Sequence, residues 1–597
     1  MKYSLLVETY ERIEATTKRL EMTGYLVDLF TKSDREVIDK VIYLTQGKLY
    51  PDYLGIELGM AEKLIIRSIS LAAGVSTHEI DKIFKELGDV GRTAEQALST
   101  MKKQASLFDF FQAEGAREEL TVQKVYETLD RIARATGEGA QETKIRLLSS
   151  LLKMATPKEA KYIVRTVAGK LRLGVADMTI LDALALAFCG TKEARPILER
   201  AYNVCSDLGE VARRLALEGL EAVKEIKPIP GKPIRPMLAE RLASPEEILL
   251  KMGGKCAVEY KYDGERVQAH KVGDGEIYLF SRRLENITPQ YPDVCQLIKE
   301  HVKAREVIIE GEIVATDPDT GDMLPFQELM HRRRKYGIEE AMEKYPASLF
   351  LFDLLYEDGE DYTLKPYLER RKRLGEIVEE AERIQLAEHF VVESPEELER
   401  IFEEAIEKGC EGIIAKALSP EAVYQAGARG WLWIKYKRDY RSEMIDTVDL
   451  VAVGAFWGRG KRAGKYGALL LAAYDPENDV FKTVCKCGSG FTDEDLEKMP
   501  EMFKPYVIPH KHPRVDSQLK PDVWFVPAVV LEVIGAEITL SPTHTCAKDA
   551  IRPGAGLAIR FPRFTGRWRF DKKPEDATTE KELIEMYQKQ LKKIEAG

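Results

Sequence analysis

The residues whose types and spacing bear most directly on chemistry lie in Glu259-Tyr-Lys261-Tyr-Asp-Gly264-Glu-Arg266. A lysine at the end of a strand-like run, followed by an Asp-Gly turn, can have its amine held in a pocket. To act as a nucleophile that amine must shed a proton, against a free pKa of about 10.4. Nearby cations, a bound metal among them, depress that value. Taken alone, the segment fits a hairpin with a surface charge equally well. It is followed, in order, by Ser281-Arg282, Glu310-Gly-Glu312, Phe352-Asp353, Glu411-Gly-Ile-Ile-Ala-Lys416, Trp431-Leu-Trp-Ile-Lys435-Tyr-Lys437 and Arg569-Phe-Asp571-Lys572. Each motif is short and weak by itself; the ordered series is what carries weight.

That series resembles the motifs of the covalent nucleotidyltransferases, the superfamily of DNA ligases, RNA ligases and mRNA capping enzymes. Within it the chain is most similar to ATP-dependent DNA ligases of the archaeal and eukaryotic replicative type, and the likeness spans essentially the whole sequence. Gly169-Lys-Leu-Arg-Leu-Gly-Val-Ala176 resembles that family's DNA-binding domain. Arg560-Phe-Pro-Arg-Phe564, with Asp571-Lys-Lys-Pro-Glu-Asp-Ala-Thr-Thr579, resembles its C-terminal signature. The resemblance implies a ligase that uses ATP and Mg²⁺ to seal nicks in duplex DNA through a Lys261-AMP intermediate, in replication, repair and recombination. It makes Lys261 the nucleophile and Glu259 the acceptor for the adenine amino group. Arg266 and Arg282 would hold phosphate or ribose oxygens through forked donors. Glu312 would bind on the ribose side and Phe352 would stack on adenine. Glu411, with Glu312, would supply carboxylates for Mg²⁺, a hard cation that favours oxygen. Lys416, Lys435 and Lys437 would stabilise charge at the α-phosphate, and Arg569 and Lys572 would reach the β- and γ-phosphates. Duller readings stand beside these: Phe352 as strand core, Arg569 and Lys572 as a solvated basic surface, and only one of Glu310 and Glu312 as functional.

Other functions share parts of the pattern. An RNA-end nucleotidyltransferase (RNA ligase or capping enzyme) would keep the lysine, but neither class usually carries a large helical domain ahead of the catalytic core. A non-catalytic scaffold would not need Lys261, Glu259, Glu411 and Lys435 together. NAD-dependent ligases carry a four-cysteine zinc module, which eight scattered cysteines without a C-x-x-C pair do not build. Cys485 and Cys487 are expected to be small buried hydrophobes, and the eight histidines structural.

A separate motif, Gln104-Ala-Ser-Leu107-Phe-Asp-Phe110-Phe111, fits the spacing of peptides that dock on a sliding clamp. Leu107, Phe110 and Phe111 would project together into an apolar groove, with Gln104 at its edge. The alternative is that these aromatics fill a core.

The elements that must position these residues fall into three parts, residues 1–227, 228–439 and 440–597. The first reads as helices: Ala61, Ile65, Ile69 and Ala72 follow helical spacing, as do Val164, Val167, Ala168 and Leu171. Four prolines between Lys227 and Pro236 predict a stiff extended connector. The middle part is mixed α and β, the nucleotidyltransferase (adenylation) domain of the resemblance. Short strands at Val258 to Lys261, Val267 to Val272 and Ile277 to Ser281 are joined by Asp-Gly turns, with later strands at Val307 to Ala315 and Ser348 to Leu355. In the last part, strands at Asp449 to Phe456, Gly467 to Tyr474, Val480 to Lys486 and Val529 to Ile538 suggest a small barrel, the OB-fold of the resemblance. A charged helix capped at Thr579 ends the chain.

The formal net charge of -10 argues against a nucleic-acid partner, but seven basic residues against one acid between Arg552 and Lys573 can neutralise phosphate locally. Charged residues form 31% of the chain, above the roughly 25% of an average soluble protein, as in heat-adapted proteins. The longest apolar run, Ile180 to Cys189, is short and interrupted by Asp182, so no membrane span is expected. With no signal peptide apparent, the expectation is an archaeal, cytoplasmic, nucleoid-associated monomer.

Overall fold

The computed structural model describes the chain except residues 106–118, 172, 274, 317–322, 325, 335, 409, 438–445, 459–461, 536, 542, 552, 561 and 596–597. It divides into two compact units. One comprises Met1–Glu240, Ile248–Ser394 and Ile414–Ile434; the other comprises Arg241–Glu247, Pro395–Ile413 and Lys435–Gly597.

The first unit begins with helices. In the Glu62–Ala73 helix, Ile65, Ile69 and Ala72 form a buried stripe at the expected spacing. The Pro157–Val167 helix starts on a capping box between Thr156 and Glu159, with proline in its first turn. It stops earlier than the Val164-to-Leu171 pattern suggests. Gly169 turns left-handed (φ +65°), and the N–H of Lys170 returns to the carbonyl of Arg165, which ends the helix in a Schellman motif. Leu171 therefore packs against the helical core from outside the helix. The apolar run around Ile180 is the Asp177–Cys189 helix, and its Asp182 is paired with Arg19 and Arg195. Among the described residues no helix is long and apolar enough to cross a membrane.

The proline-rich connector is not a straight spacer. It turns between Ile229 and Lys232, and the first compact unit runs through it. Proline has no N–H, so the N–H groups that remain must find acceptors where the chain is buried. Gly231 donates to His270 Nδ1 (2.9 Å), Ile234 donates to Gln268 Oε1 (2.7 Å), and Gln268 Nε2 donates back to the Ile234 carbonyl (2.9 Å).

Among the described residues eleven strands follow: β1 (Leu238–Arg241), β2 (Cys256–Lys261), β3 (Glu265–Val272), β4 (Glu276–Ser281), β5 (Val307–Ala315), β6 (Ala347–Glu357), β7 (Glu360–Asp361), β8 (Ile384–Leu386), β9 (His389–Val392), β10 (Gly412–Lys416) and β11 (Arg429–Lys437). One sheet has the order β1-β11-β10-β2-β9; a second runs β4-β3-β5-β6-β7, with β8 beside β6. β3 and β4 form the expected hairpin. β2 and β3 do not: they belong to different sheets, so Asp263-Gly264 is a corner between sheets and not a hairpin turn. The reason is local. A β-carbon at Gly264 would lie 2.0 Å from the carbonyl oxygen of Ile313, so the chain passes directly against the backbone of β5.

In the second unit β12 (Val448–Trp457), β13 (Tyr466–Asp475) and β14 (Val480–Cys487) form an antiparallel meander. The run expected as one strand from Val529 to Ile538 is two. Val530–Ile534 pairs with β12, whereas Glu537–Ser541 pairs with Gly556–Arg560; Gly535 lies at the break. The result is an OB-fold-like sheet domain. Cys485, Cys487 and Cys546 are buried in it as free thiols. The Glu580–Glu595 helix closes the chain, capped by Thr579, which accepts from the N–H of Glu582.

Candidate active site

Strand β2 puts Glu259 and Lys261 on one face, because side chains two apart on a strand point the same way. Lys261 is half-buried at the strand end between two anchored tyrosines. Tyr260 packs on Phe390, and Tyr262 stacks on Phe350 at 4.1 Å. The backbone carrying the amine is thereby held on both sides.

Glu259 is only 2% exposed, and its carboxylate is bracketed by donors. The Tyr367 hydroxyl donates to Oε1 (2.7 Å), the amine of Lys416 lies 2.5 Å from Oε2, and Arg371 approaches to 3.9 Å. Lys416 is itself buried under aromatic faces, 4.2 Å from the ring centre of Trp433 and 4.8 Å from that of Phe352. Its amine lies against the Glu259 carboxylate. His389 faces Glu259 across the β2/β9 ladder; burial first, then Arg371, keeps its pKa below the usual imidazole value.

Arg266 is engaged by the protein. It pairs with Glu310 (2.9 Å), donates to the Met237 carbonyl (2.7 Å) and meets the Tyr424 hydroxyl (3.3 Å). Burial opposes its charge, but Glu310, Tyr424 and Glu312 together raise the guanidinium above its ordinary value. Glu310 also accepts from Tyr424 and is 1% exposed, so it is a structural partner. Glu312, two residues on, is half-exposed opposite Arg266 in the β3/β5 ladder. Arg282 is exposed overall, yet partial desolvation, then Arg266 and Arg429, push its pKa down while Glu312 opposes them. With Arg266 tied to Glu310, Arg282 and Arg429 leave a net positive charge near Glu312, suited to phosphate or ribose oxygens.

Phe352 is half-buried, edge-on to Trp433 and 5.5 Å below Arg266. Its neighbour Asp353 forms a fully buried pair with Arg370 at 2.7 Å and 3.1 Å. Tyr367, Arg370, Arg371, Tyr424, Arg429 and Trp433 are site neighbours that sequence reasoning did not single out. Trp433 lies inside the Trp431-to-Lys437 motif, and Tyr367 lies four residues before Arg371, one helical turn, which is the signal the sequence offers.

In the second unit Glu411, half-exposed at the entry to β10, is 3.2 Å from Lys437. Lys435 is half-buried on β11, next to Tyr436, which stacks on Phe402 at 4.2 Å. Arg569 and Lys572 converge on Asp449, at 3.1 Å and 2.6 Å. Asp571 pairs with Arg569, which holds its carboxyl down at about 2. Part of the basic stretch is therefore satisfied internally, Arg567 on Glu532 included. Among the described residues no group of three or more His, Cys, Asp or Glu converges as a metal cage. In the clamp-like motif, Gln104 falls in the Val90–Ala105 helix, while Leu107, Phe110 and Phe111 lie outside the described residues.

A lysine and a buried carboxylate on one strand face, beside clustered guanidiniums and an aromatic ledge, are what a nucleotide-transferring fold needs. Comparison with known proteins specifies which. Family models match throughout: "DNA ligase N terminus" at residues 2–185, "ATP dependent DNA ligase domain" at 236–437 and "ATP dependent DNA ligase C terminal region" at 462–572. Curated relatives include DNA ligase 2 of Thermofilum pendens, 61% identical over 99% of this chain and 98% of its own length. The DNA ligase of Staphylothermus marinus is 59% identical over the full length of both chains. A solved structure titled Pmar-Lig_PreS3, 17% identical, covers 94% of this chain and 99% of its own with a TM-score of 0.54, which speaks for the fold alone. The chain belongs to the ATP-dependent DNA ligase family and is an enzyme that seals breaks in DNA at the expense of ATP.

Proposed function

We propose that Lys261 carries the AMP. Its deprotonated amine bonds to the α-phosphorus of ATP as the bond to the β-phosphate oxygen breaks and pyrophosphate leaves. A 5′-phosphate oxygen of nicked duplex DNA then displaces Lys261, giving a DNA-adenylate. The adjacent 3′-hydroxyl attacks the 5′-phosphorus, closes the phosphodiester and releases AMP. The observation that carries this reading is the shared face of Glu259 and Lys261 on β2, next to the Arg266, Arg282 and Glu312 patch.

In this reading Glu259 accepts from the adenine amino group, Phe352 stacks on the base, and Glu312 and Arg282 meet the ribose and phosphate. Arg266 acts mainly by holding the pocket wall. Lys435 and Lys437 oppose charge at the α-phosphate, and Arg569 and Lys572 exchange Asp449 for the terminal phosphates. Positioning and charge neutralisation are the main contributions a protein makes to phosphoryl chemistry. Glu411 and Glu312 are the residues that would hold Mg²⁺, a hard cation suited to one or two carboxylates. When bound it supplies neutralisation of phosphate charge.

The three-part division at 1–227, 228–439 and 440–597 belongs to the same reading: helical DNA-binding, adenylation and OB-fold domains that together grip a duplex through its phosphates. So do a monomeric state, a cytoplasmic location at the nucleoid, and docking on a sliding clamp through Gln104, Leu107, Phe110 and Phe111. Replacing Phe110 and Phe111 with alanine tests the last point. Clamp association should weaken while nick sealing without clamp stays intact, and unchanged clamp affinity would remove it. The central test is mass spectrometry after incubation with ATP and Mg²⁺. One added AMP on the Lys261 peptide is expected, and label on any other residue would refute the assignment.

A further inference from the structure

We propose that Tyr367 is a positioning residue that sets the enzyme's preference for adenine over guanine, by fixing the carboxylate of Glu259. This rests on the reading of Glu259 as acceptor for the adenine amino group. At that position adenine presents an N–H donor and guanine a carbonyl acceptor. A carboxylate discriminates between them only if an oxygen is held where the donor arrives; a carboxylate free to rotate can turn away from the guanine oxygen.

The geometry provides such a hold. Glu259 is 2% exposed and Tyr367 is 1% exposed. The Tyr367 hydroxyl donates to Oε1 at 2.7 Å, while Lys416 takes Oε2 at 2.5 Å. The Tyr367 hydrogen bond on Oε1 and the Lys416 charge against Oε2 hold the carboxylate against rotation about its terminal bond, and each oxygen keeps a lone pair for ligand. Tyr367 is itself fixed. It opens the Tyr367–Ile377 helix, its own N–H donates to the Ala422 carbonyl (2.9 Å), and Arg370 three residues on is locked to Asp353. Asp353 adjoins Phe352, the base-stacking candidate, so one helical turn registers both the carboxylate and the aromatic ledge. Arg371, in the same turn, is anchored by the Ala387 carbonyl at 2.9 Å and faces Glu259.

The experiment measures covalent nucleotide transfer to the full-length enzyme with ATP and with GTP, for wild type, Tyr367→Phe, Glu259→Gln and the double variant. Tyr367→Phe should lower the ATP-to-GTP ratio of kcat/KM about tenfold, the scale of one hydrogen bond to a charged group, mainly through KM for ATP. The double variant should have the same ratio as Glu259→Gln alone, because Tyr367 acts through that carboxylate. An unchanged ratio in Tyr367→Phe, or losses that add in the double variant, overturns the proposal. An unchanged ratio in Glu259→Gln instead overturns the assignment of Glu259 itself, so the two failures are distinct. Should Tyr367→Phe fail to fold, Glu259→Asp decides: it keeps the charge but withdraws the carboxylate from Tyr367, and must also lose preference. Full retention of the ATP preference there would sink the idea.

Discussion

Around Glu259 in the first unit, acids and bases are tied to buried partners: Lys416 and Tyr367 on Glu259, Arg266 on Glu310, Arg370 on Asp353. In the second unit, Arg569 and Lys572 share the single carboxylate of Asp449 nearer to solvent, and Arg569 is shared again with exposed Asp571. Pairs of the first kind are costly to break because a lone charge stays behind in low dielectric. Pairs of the second kind are worth little and exchange readily for another anion. The first arrangement suits a preformed pocket, the second a set of cations to be handed to a ligand.

The strongest break comes at the nucleophile. Lys261→Ala should abolish covalent AMP labelling while DNA retention in a gel-shift assay persists; residual label at the wild-type level would move the chemistry elsewhere. Next in size is Asp353→Ala, which strands the buried Arg370 charge and should cost about 3–5 kcal/mol of stability in chemical denaturation. A loss below about 1 kcal/mol would place that pair with the exchangeable class.

Acid provides a third separation. His270 is fully buried and accepts from Gly231 at Nδ1 while meeting Gln268 at Nε2, an arrangement that requires the neutral ring. Burial lowers its pKa to about 3, against about 6.5 when unfolded. The unfolded chain therefore binds the proton first, and stability falls as pH drops from about 6.5 towards 3. The slope from this one group approaches about 1.4 kcal/mol per pH unit. His270→Gln should flatten that part of the profile; an unaltered slope would assign it to other groups. The smallest effect belongs to the second unit. Asp449→Asn should change KM for ATP in the adenylation step by no more than about threefold, and salt at about 1 M should narrow the difference. A larger, salt-independent change would show that these cations are fixed like those around Glu259.

What the sequence made legible follows the same division. Lys261, Glu259 and the strands that carry them could be read because strand period and motif order are local properties. The helical half was readable for the same reason, through stripes such as Ile65, Ile69 and Ala72. The partners Tyr367 and Lys416 were not legible as partners, since 108 residues separate Tyr367 from Glu259 and only the tertiary fold brings them together. The Asp263-Gly264 corner was misjudged because an Asp-Gly pair looks the same whether the next strand returns to its own sheet or enters another. The connector was misjudged because proline content reports stiffness and says nothing of the acceptors, His270 and Gln268, waiting on β3.

The corner at Gly264 acts as a gauge block for the reaction. With the Ile313 carbonyl oxygen 2.0 Å from where a β-carbon would stand, the corner that follows the nucleophile's strand can lie this close to β5 only as glycine. Any side chain there would act as a shim. Since a misplacement of about 1 Å can cost about a hundredfold in rate, replacing one hydrogen atom three residues away would detune the amine without touching it.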